Sequence, residues 1–217
     1  MRRAMDCRSR FTNLKFVLLF LLFAAGCSST GAKLTVKSAT TKKSYNEIFP
    51  QAYVRRDAGG DYDIVLVDDP FDRVARSSPS AALVPEAIAP VKQVMHIRVL
   101  WRPMRGAKPD HPAATNAAIH WYVLGTTSQS NEVIHYAGTG FVTVYPSSQS
   151  AELDILSANL KLRDHSGQLV DPVGDCRISG SASATASDRM VRQYLEEVKE
   201  VVATIEPESN VSTPTEK

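Results

Sequence analysis

The sequence predicts an α+β fold, a mostly antiparallel β meander with an N-terminal hairpin and a C-terminal amphipathic helix packed on the sheet. Two observations lead to this prediction. Apolar and polar residues alternate in most segments between residues 52 and 186, as in half-buried strands. Over 188–205 the apolar residues recur every third or fourth position, as in a helix that buries one face. We expect a single domain over 46–206, long enough to bury a hydrophobic core.

The first clear strands are predicted to form a hairpin. Residues 52–56 and 62–67 are rich in β-forming side chains, and a Gly-Gly turn within 57–61 joins them. Residues 74–92 follow, rich in proline, alanine and serine. This composition predicts a long connection across the surface and not a second domain.

The meander is predicted over 94–102, 118–126 and 133–145, each with one apolar face. The apolar faces of the last two strands match only in certain registers, because a slip of one residue turns every side chain to the opposite face. Pairing Trp121 with Tyr136 satisfies this condition, and it also pairs the residues next to the connecting turn.

A Gly-Thr-Gly triplet at 138–140 lies on the third of these strands. Its missing side chains leave space on the core face, and we expect Trp121 to fill that space. The alternative, a phosphate-binding loop, is disfavoured because the triplet lacks both a third glycine and a following helix.

A fourth strand is predicted over 151–163. Its inward positions change parity near 155–156, which predicts a β-bulge and places Leu156 inward. A fifth strand over 176–186 begins its apolar face at Cys176, which favours a buried thiol over a reactive nucleophile.

The last predicted element is the helix over 188–205, with Ser187 as its N-cap and Pro207 beyond its end. The inner face of the preceding strand is lined by small residues, so we expect the helix to dock across that face. Residues 207–217 are polar and predict a disordered tail.

The first 30 residues have a different character. Residues 1–15 are basic, residues 16–25 are an uninterrupted apolar run, and two small residues then precede Cys27. These three features are typical of a secretory signal peptide. A membrane-spanning helix needs about 20 apolar residues, roughly twice the length of this run.

With cysteine as the first mature residue, Phe23-Ala24-Ala25-Gly26-Cys27 resembles the lipobox of bacterial lipoprotein precursors, although alanine at 24 replaces the commoner leucine. The resemblance implies transfer of diacylglycerol to the Cys27 thiol, cleavage after Gly26 and acylation of the new amino group. Residues 1–26 would be the signal peptide, whether translation begins at Met1 or at Met5.

Residues 27–45 are then expected to be the lipidated cysteine and a flexible tether, because they are small, polar and charged. Leu34-Thr35-Val36 is compatible with a short strand within the tether. Ser28 follows the cysteine, as in lipoproteins that are sorted to the outer membrane. In a host with two membranes we therefore expect the periplasmic face of the outer membrane in preference to the inner membrane.

Removal of the leader changes the charge and the cysteine count. It takes with it five of 25 Lys and Arg residues and one of 23 Asp and Glu residues, which leaves 20 basic and 22 acidic residues. A net charge of −2 gives no electrostatic basis for binding nucleic acid. Cys7 leaves with the leader and Cys27 is modified, so Cys176 is the one remaining thiol and no intramolecular disulfide can form.

Three histidines are candidates for a metal site. His96, His120 and His135 all lie opposite the apolar face of the meander strands, and three imidazoles form a possible zinc set. We favour ordinary half-exposed histidines, because no Asp or Glu on these strand segments supplies the carboxylates that usually orient zinc ligands. No metal and no other cofactor is therefore predicted.

A basic stripe runs from a strand into the loop after it, formed by Arg98, Arg102, Arg105 and Lys108. It is a candidate contact for an anionic glycan or an acidic envelope protein. The alternative is a solvated face whose charges keep the sheet soluble.

These observations predict a lipid-anchored lipoprotein of the cell envelope with a non-catalytic binding or assembly domain. Its partners would be the membrane, through the lipid on Cys27, and another envelope protein or an anionic glycan. The alternative is an envelope hydrolase or metalloenzyme that uses the strand-face histidines. No catalytic residue is assigned, because none of the common nucleophile, zinc or nucleotide motifs occurs.

Overall fold

A computed structural model describes residues 30–69, 91–103, 115–126, 131–167, 169–171 and 173–205. Within these ranges it contains nine strands and one helix: β1 (Gly31–Ser38), β2 (Ser44–Phe49), β3 (Gln51–Arg56), β4 (Tyr62–Asp68), β5 (Lys92–Val99), β6 (Ala117–Thr126), β7 (Asn131–Pro146), β8 (Ser150–Ser166), β9 (Cys176–Ala186) and α1 (Asp188–Ile205). The predicted leader with Cys27, most of the connection over 74–92 and the tail over 207–217 lie outside these ranges. No helix within them is both long and apolar enough to cross a bilayer.

The strands form one mixed sheet that closes on itself. From β3 to β8, each strand is antiparallel to the next one in the chain, and β9 is antiparallel to β8. A short parallel contact between β9 and β3 completes the ring, with Tyr53 opposite Thr185 and Val54 opposite Ala186. The predicted α+β class, the hairpin of β3 and β4 and the antiparallel meander are confirmed.

β1 and β2 form a further hairpin attached to β9. Gly31 lies opposite Ser183, and Ser38 lies opposite Cys176. The prediction of a flexible tether over 27–45 was therefore wrong for these strands, and the domain begins no later than Gly31. Every second residue of β1 is buried, and long-range pairing with β9 stabilises a segment whose small and charged residues obscured that period.

Two apolar clusters lie on opposite faces of the sheet. The larger fills the inside of the ring, and the smaller lies on the outside beneath α1. β4 contributes to both, because Ile64 and Leu66 join the inner cluster while Val65 and Val67 join the outer one. Every residue of β4 is consequently buried, as expected of a strand covered on both faces.

α1 begins at its predicted N-cap, where the backbone N–H of Met190 donates to Ser187 Oγ at 3.4 Å. Its buried residues Val191, Tyr194 and Val198 contact the outer face of the strands from β3 to β7. The helix is thus packed on the sheet as predicted, but on the opposite face from the one expected.

The expected docking across the small residues of β9 was wrong because these residues face the inside of the ring. Ala182 and Ala184 belong to the inner cluster. A Cβ on Gly180, which has a φ of +149°, would lie 2.2 Å from the backbone oxygen of Lys33. The small residues therefore allow β1 to approach β9 closely and do not receive the helix.

β6 and β7 pair in the predicted register. Trp121 lies opposite Tyr136, and their rings stack with centroids 5.0 Å apart. The space at the glycine triplet is used differently from the prediction, because a Cβ on Gly138 would lie 1.9 Å from the backbone oxygen of Asn159. The backbone of β8, and not Trp121, thus occupies the place of the missing side chain.

β8 contains the predicted bulge. Phe141 pairs with Ser157 and Val142 with Ile155, which leaves Leu156 as the extra residue. The inward placement predicted for Leu156 was wrong, since its side chain is 49% exposed. The extra residue shifts the alternation of inward and outward side chains by one position in the residues that follow it.

The close approach at Gly138 predicts a large effect of a single methyl group. We expect Gly138→Ala to lower the free energy of unfolding by about 3 kcal/mol, because the β8 backbone cannot yield as a side chain can. Gly59→Ala is the control, because a Cβ there would meet only the Asp57 side chain, at 3.3 Å. Urea unfolding of both variants measures the difference, and equal effects would contradict the packing described here.

Candidate functional site

The three predicted histidines form one row on the outer face of the sheet. His96 on β5 lies directly opposite His120 on β6, and His135 on β7 lies opposite Tyr122. Neighbouring imidazoles are close, with ring centroids 6.4 Å apart for His96 and His120 and 5.4 Å apart for His120 and His135. The Tyr122 ring stacks on His135 at 4.4 Å.

Hydrogen bonds connect this row to a carboxylate at each end. Asp63 Oδ1 lies 2.9 Å from His96 Nε2, and Asp164 Oδ2 lies 3.0 Å from His135 Nδ1. Between them, His120 Nδ1 and His135 Nε2 are 3.1 Å apart. We name this set the histidine row: Asp63, His96, His120, Tyr122, His135 and Asp164.

The carboxylates that support the histidines come from neighbouring strands and not from the histidine strands themselves, to which the sequence argument was confined. Asp63 lies on β4 and Asp164 on β8, the strands that flank the three carrying histidines. Arg55 on β3 extends the network, because its Nε and Nη2 donate to Asp63 Oδ2 at 3.0 and 2.8 Å. The period-two alternation of β4 and β8 could have revealed both aspartates once their pairing was known.

The row does not assemble a metal centre within the described ranges, where no group of three or more His, Cys, Asp or Glu side chains is arranged to hold an ion. The nitrogens of His120 and His135 that face each other share a hydrogen bond. One of these nitrogens must donate and the other accept, so the pair needs at least one neutral ring. What this pair can do chemically is hold a proton and pass it between His120 and His135.

The electrostatic environment of the row favours neutral His120 and ionised Asp63. The pKa of Asp63 is lowered from 3.8 to about 2, chiefly by the hydrogen bond with His96 and further by Arg55, against the opposing effect of burial. The pKa of His120 is lowered, first by burial and then by the charges of His135, His96 and Arg163.

A second candidate lies at one end of the ring. A groove of about 520 Å³ opens where the β3–β4 hairpin, the β7–β8 turn and the junction of β9 with α1 meet. We call it the basic groove. Its lining residues are Val54, Arg55, Arg56, Tyr62, Arg102, Pro146, Ser147, Ser148, Ser150, Ala151, Ala186, Ser187 and Asp188.

Two of the groove arginines form no ion pair with a described carboxylate. Arg56 lies over the Tyr62 ring at 5.8 Å, and Arg102 Nη1 donates to the Tyr62 hydroxyl at 3.4 Å. The third, Arg55, is bound to Asp63. Two exposed guanidinium groups therefore converge on one tyrosine, a suitable arrangement for binding an oxyanion.

Acidic residues near the groove have partners of their own. Asp188 accepts from Arg192 at 2.9 Å. The structure divides the predicted basic stripe, because Arg98 turns to Asp57 and Asp61, at 3.9 and 3.6 Å, while Arg102 turns to the groove.

The rest of the stripe, Arg105 and Lys108, lies outside the described residues. Arg56 was not predicted, because it is distant from Arg102 in the chain and the pairing of β4 with both β3 and β5 brings the two together.

The thiol of Cys176 is buried, as predicted. Burial, with smaller effects from Asp171 and Asp175, raises its pKa to about 12. A thiol with such a pKa is almost wholly protonated at neutral pH and is a poor nucleophile.

Comparisons with known proteins add no family to this description. No protein-family model, no curated protein and no solved structure matches the chain.

The lowered pKa of His120 predicts a loss of stability on acidification. Below the ordinary histidine pKa of 6.5 the unfolded chain binds a proton that folded His120 resists, so the free energy of unfolding falls as the pH drops below 6.5. Asp63 affects the free energy of unfolding at lower pH. Its stabilising effect is present above pH 3.8 and is lost as the pH falls towards 2.

Urea unfolding between pH 8 and pH 5 tests the His120 component. We expect a smaller decline in His120→Phe than in the wild type, because the variant lacks the imidazole whose protonation the fold resists. If the free energy of unfolding falls equally with pH in the wild type and in His120→Phe, the acid destabilisation does not come from His120.

Proposed function

We propose that this protein is a lipid-anchored lipoprotein of the cell envelope whose folded domain is a non-catalytic binding module. The lipobox at Cys27 supports the anchor. The observation that carries the binding role is the basic groove, which presents two guanidinium groups that form no ion pair with a carboxylate in the described part of the chain. An anionic component of the envelope is the ligand class that this chemistry fits.

Separation of the groove from the histidines favours binding over catalysis. Among the described residues that line the groove, none is a histidine or a cysteine. The groove hydroxyls of Ser147 and Ser150 bond to each other at 2.9 Å, with no imidazole beside them. A nucleophilic serine needs a base within hydrogen-bond reach, so these hydroxyls are suited to contacting a ligand.

The lipid anchor is tested at Cys27. In a bacterial host that processes lipoproteins, we expect the intact mass of the mature protein to correspond to cleavage after Gly26 plus three acyl chains on Cys27. Cys27→Ala should abolish both the acylation and the cleavage after Gly26, because the Cys27 thiol is the acceptor of the diacylglycerol. Cys176→Ala is the matched control and should be processed like the wild type.

A wild-type protein with a free Cys27 thiol, or cleavage at another position, would refute the anchor. Membrane fractionation of the same three proteins gives an independent readout.

The histidine row supports a second candidate, an envelope hydrolase or metalloenzyme. Its specific support is the pair of carboxylate–imidazole hydrogen bonds, at Asp63–His96 and His135–Asp164, which orient imidazoles as they do in acid–base catalysts.

Elemental analysis of the purified protein distinguishes the candidates. The binding module is expected to contain less than one tenth of an equivalent of zinc, roughly the level of adventitious metal. Stoichiometric zinc that is lost in His120→Ala would favour the metalloenzyme.

A further inference from the structure

The position of β1 limits where a lipid on Cys27 can lie. Three residues separate Cys27 from Gly31, and the four Cα-to-Cα steps between them span at most about 14 Å when the chain is fully extended. Gly31 pairs with Ser183, three residues before the end of β9 at the basic groove. The other end of β9, at Cys176, is seven residues from Ser183, or roughly 23 Å. Cys27, the point of attachment of the proposed lipid, can therefore reach the groove end of the ring but not the opposite end.

Exposed apolar side chains lie at the same end. Leu100 and Trp101 leave β5 directly before Arg102 and are 51% and 50% exposed, and Tyr145, next to Pro146 of the groove, is 40% exposed. Tryptophan and tyrosine are enriched at the headgroup level of membranes, where an apolar ring meets a wet surface.

The segment that carries Trp101 is held in place. The side-chain amide of Asn116 donates to the Trp101 backbone oxygen at 2.9 Å, and the Leu100 N–H donates to the Asn116 backbone oxygen at 2.9 Å. The indole also meets Phe141 edge-on at 6.2 Å. Trp101 is thus presented on a fixed backbone beside the groove.

The charges of this end suit a phosphate. Arg56 and Arg102 carry guanidinium groups that no described carboxylate neutralises, whereas Asp57 and Asp61 lie near Arg98. A guanidinium fork matches the oxygens of a phosphate, and each arginine near an anionic bilayer contributes about 1 kcal/mol.

We propose that the groove end of the ring docks on the bilayer that holds the lipid anchor. A phospholipid phosphate occupies the basic groove between Arg56 and Arg102, and Trp101 and Tyr145 lie at the headgroup level. This inference rests on the proposed lipidation of Cys27, and it identifies the anionic ligand as the membrane surface itself.

Tryptophan quenching in vesicles tests the docking. The chain has two tryptophans, Trp101 at the surface and Trp121, which is 3% exposed inside the ring. The full-length lipidated protein is reconstituted into phosphatidylcholine vesicles with and without phosphatidylglycerol, each containing acyl-brominated phosphatidylcholine as quencher. We expect quenching that increases with phosphatidylglycerol and disappears in Trp101→Phe.

The double variant Arg56→Gln/Arg102→Gln probes the groove. Loss of two surface guanidinium groups is expected to lower the ratio of docked to undocked protein roughly 30-fold. Lys37→Gln/Arg177→Gln is the matched control, with the same change of charge at the opposite end of β9, and should be quenched like the wild type. Circular dichroism confirms that each variant is folded.

The outcomes separate this inference from the proposed function. An unacylated protein that does not associate with vesicles refutes the lipid anchor. A protein that associates through its lipid but leaves Trp101 unquenched refutes the docking alone. If the groove variant is quenched as strongly as the wild type, the groove does not bind the membrane. This is also the result expected if the groove binds a soluble acidic partner instead. If the groove variant unfolds, the docking is judged from the wild type alone, by whether its Trp101 quenching increases with the phosphatidylglycerol content of the vesicles.

Discussion

Closure of the sheet through β9 is the constraint on which the rest of the structure depends. One edge of β9 bonds to β8, and the other edge is shared by β1 and, for two residues, by β3. β1 takes the part of this edge up to Ser183 and β3 takes its last residues, so Arg55 and Arg56 pair with β4 but extend beyond the end of β9. The basic groove opens beyond this end of β9, next to Ala186. The small inner residues of β9 follow from the same constraint, because the strands on both sides must approach it closely.

The histidine row is a consequence of the antiparallel register on the outside of the same ring. Inward positions are taken by the apolar core, so polar side chains of β4 to β8 must point outward, where neighbouring strands align them. α1 covers the adjoining part of this face, and Tyr122 joins the apolar cluster beneath it. The row therefore lies at the margin between a covered and an open surface. Burial at this margin lowers the pKa of His120, while the two aspartates at the ends limit the cost of removing the row from water.

Local sequence patterns predicted the features that depend on strands adjacent in the chain. They did not predict the features that depend on contacts between segments distant in the chain. The register of Trp121 with Tyr136 and the bulge at Leu156 follow from period-two alternation within a hairpin, which is visible in the sequence. The strand β1 depends on pairing with β9, about 145 residues later in the chain, and no local pattern encodes that contact. The side on which α1 docks depends on which face of β9 the closed ring encloses. The candidate site divides in the same way: the histidines were visible in the sequence, but Asp164 and Arg56 required the topology.

The start of β1 at Gly31 also decides how much a weak contact with the membrane can achieve. Two exposed arginines would bind a free phosphate headgroup poorly, because each contributes only about 1 kcal/mol. A flexible tether over 27–45 would let the domain move roughly 24 Å from its anchor in any orientation. With the proposed lipid on Cys27, a link of three residues would restrict the domain to about 14 Å and hold the headgroups at a high effective concentration next to one end of the ring. Under this proposal a shallow groove is sufficient, since the covalent anchor would supply the affinity and the groove would need only to select the orientation.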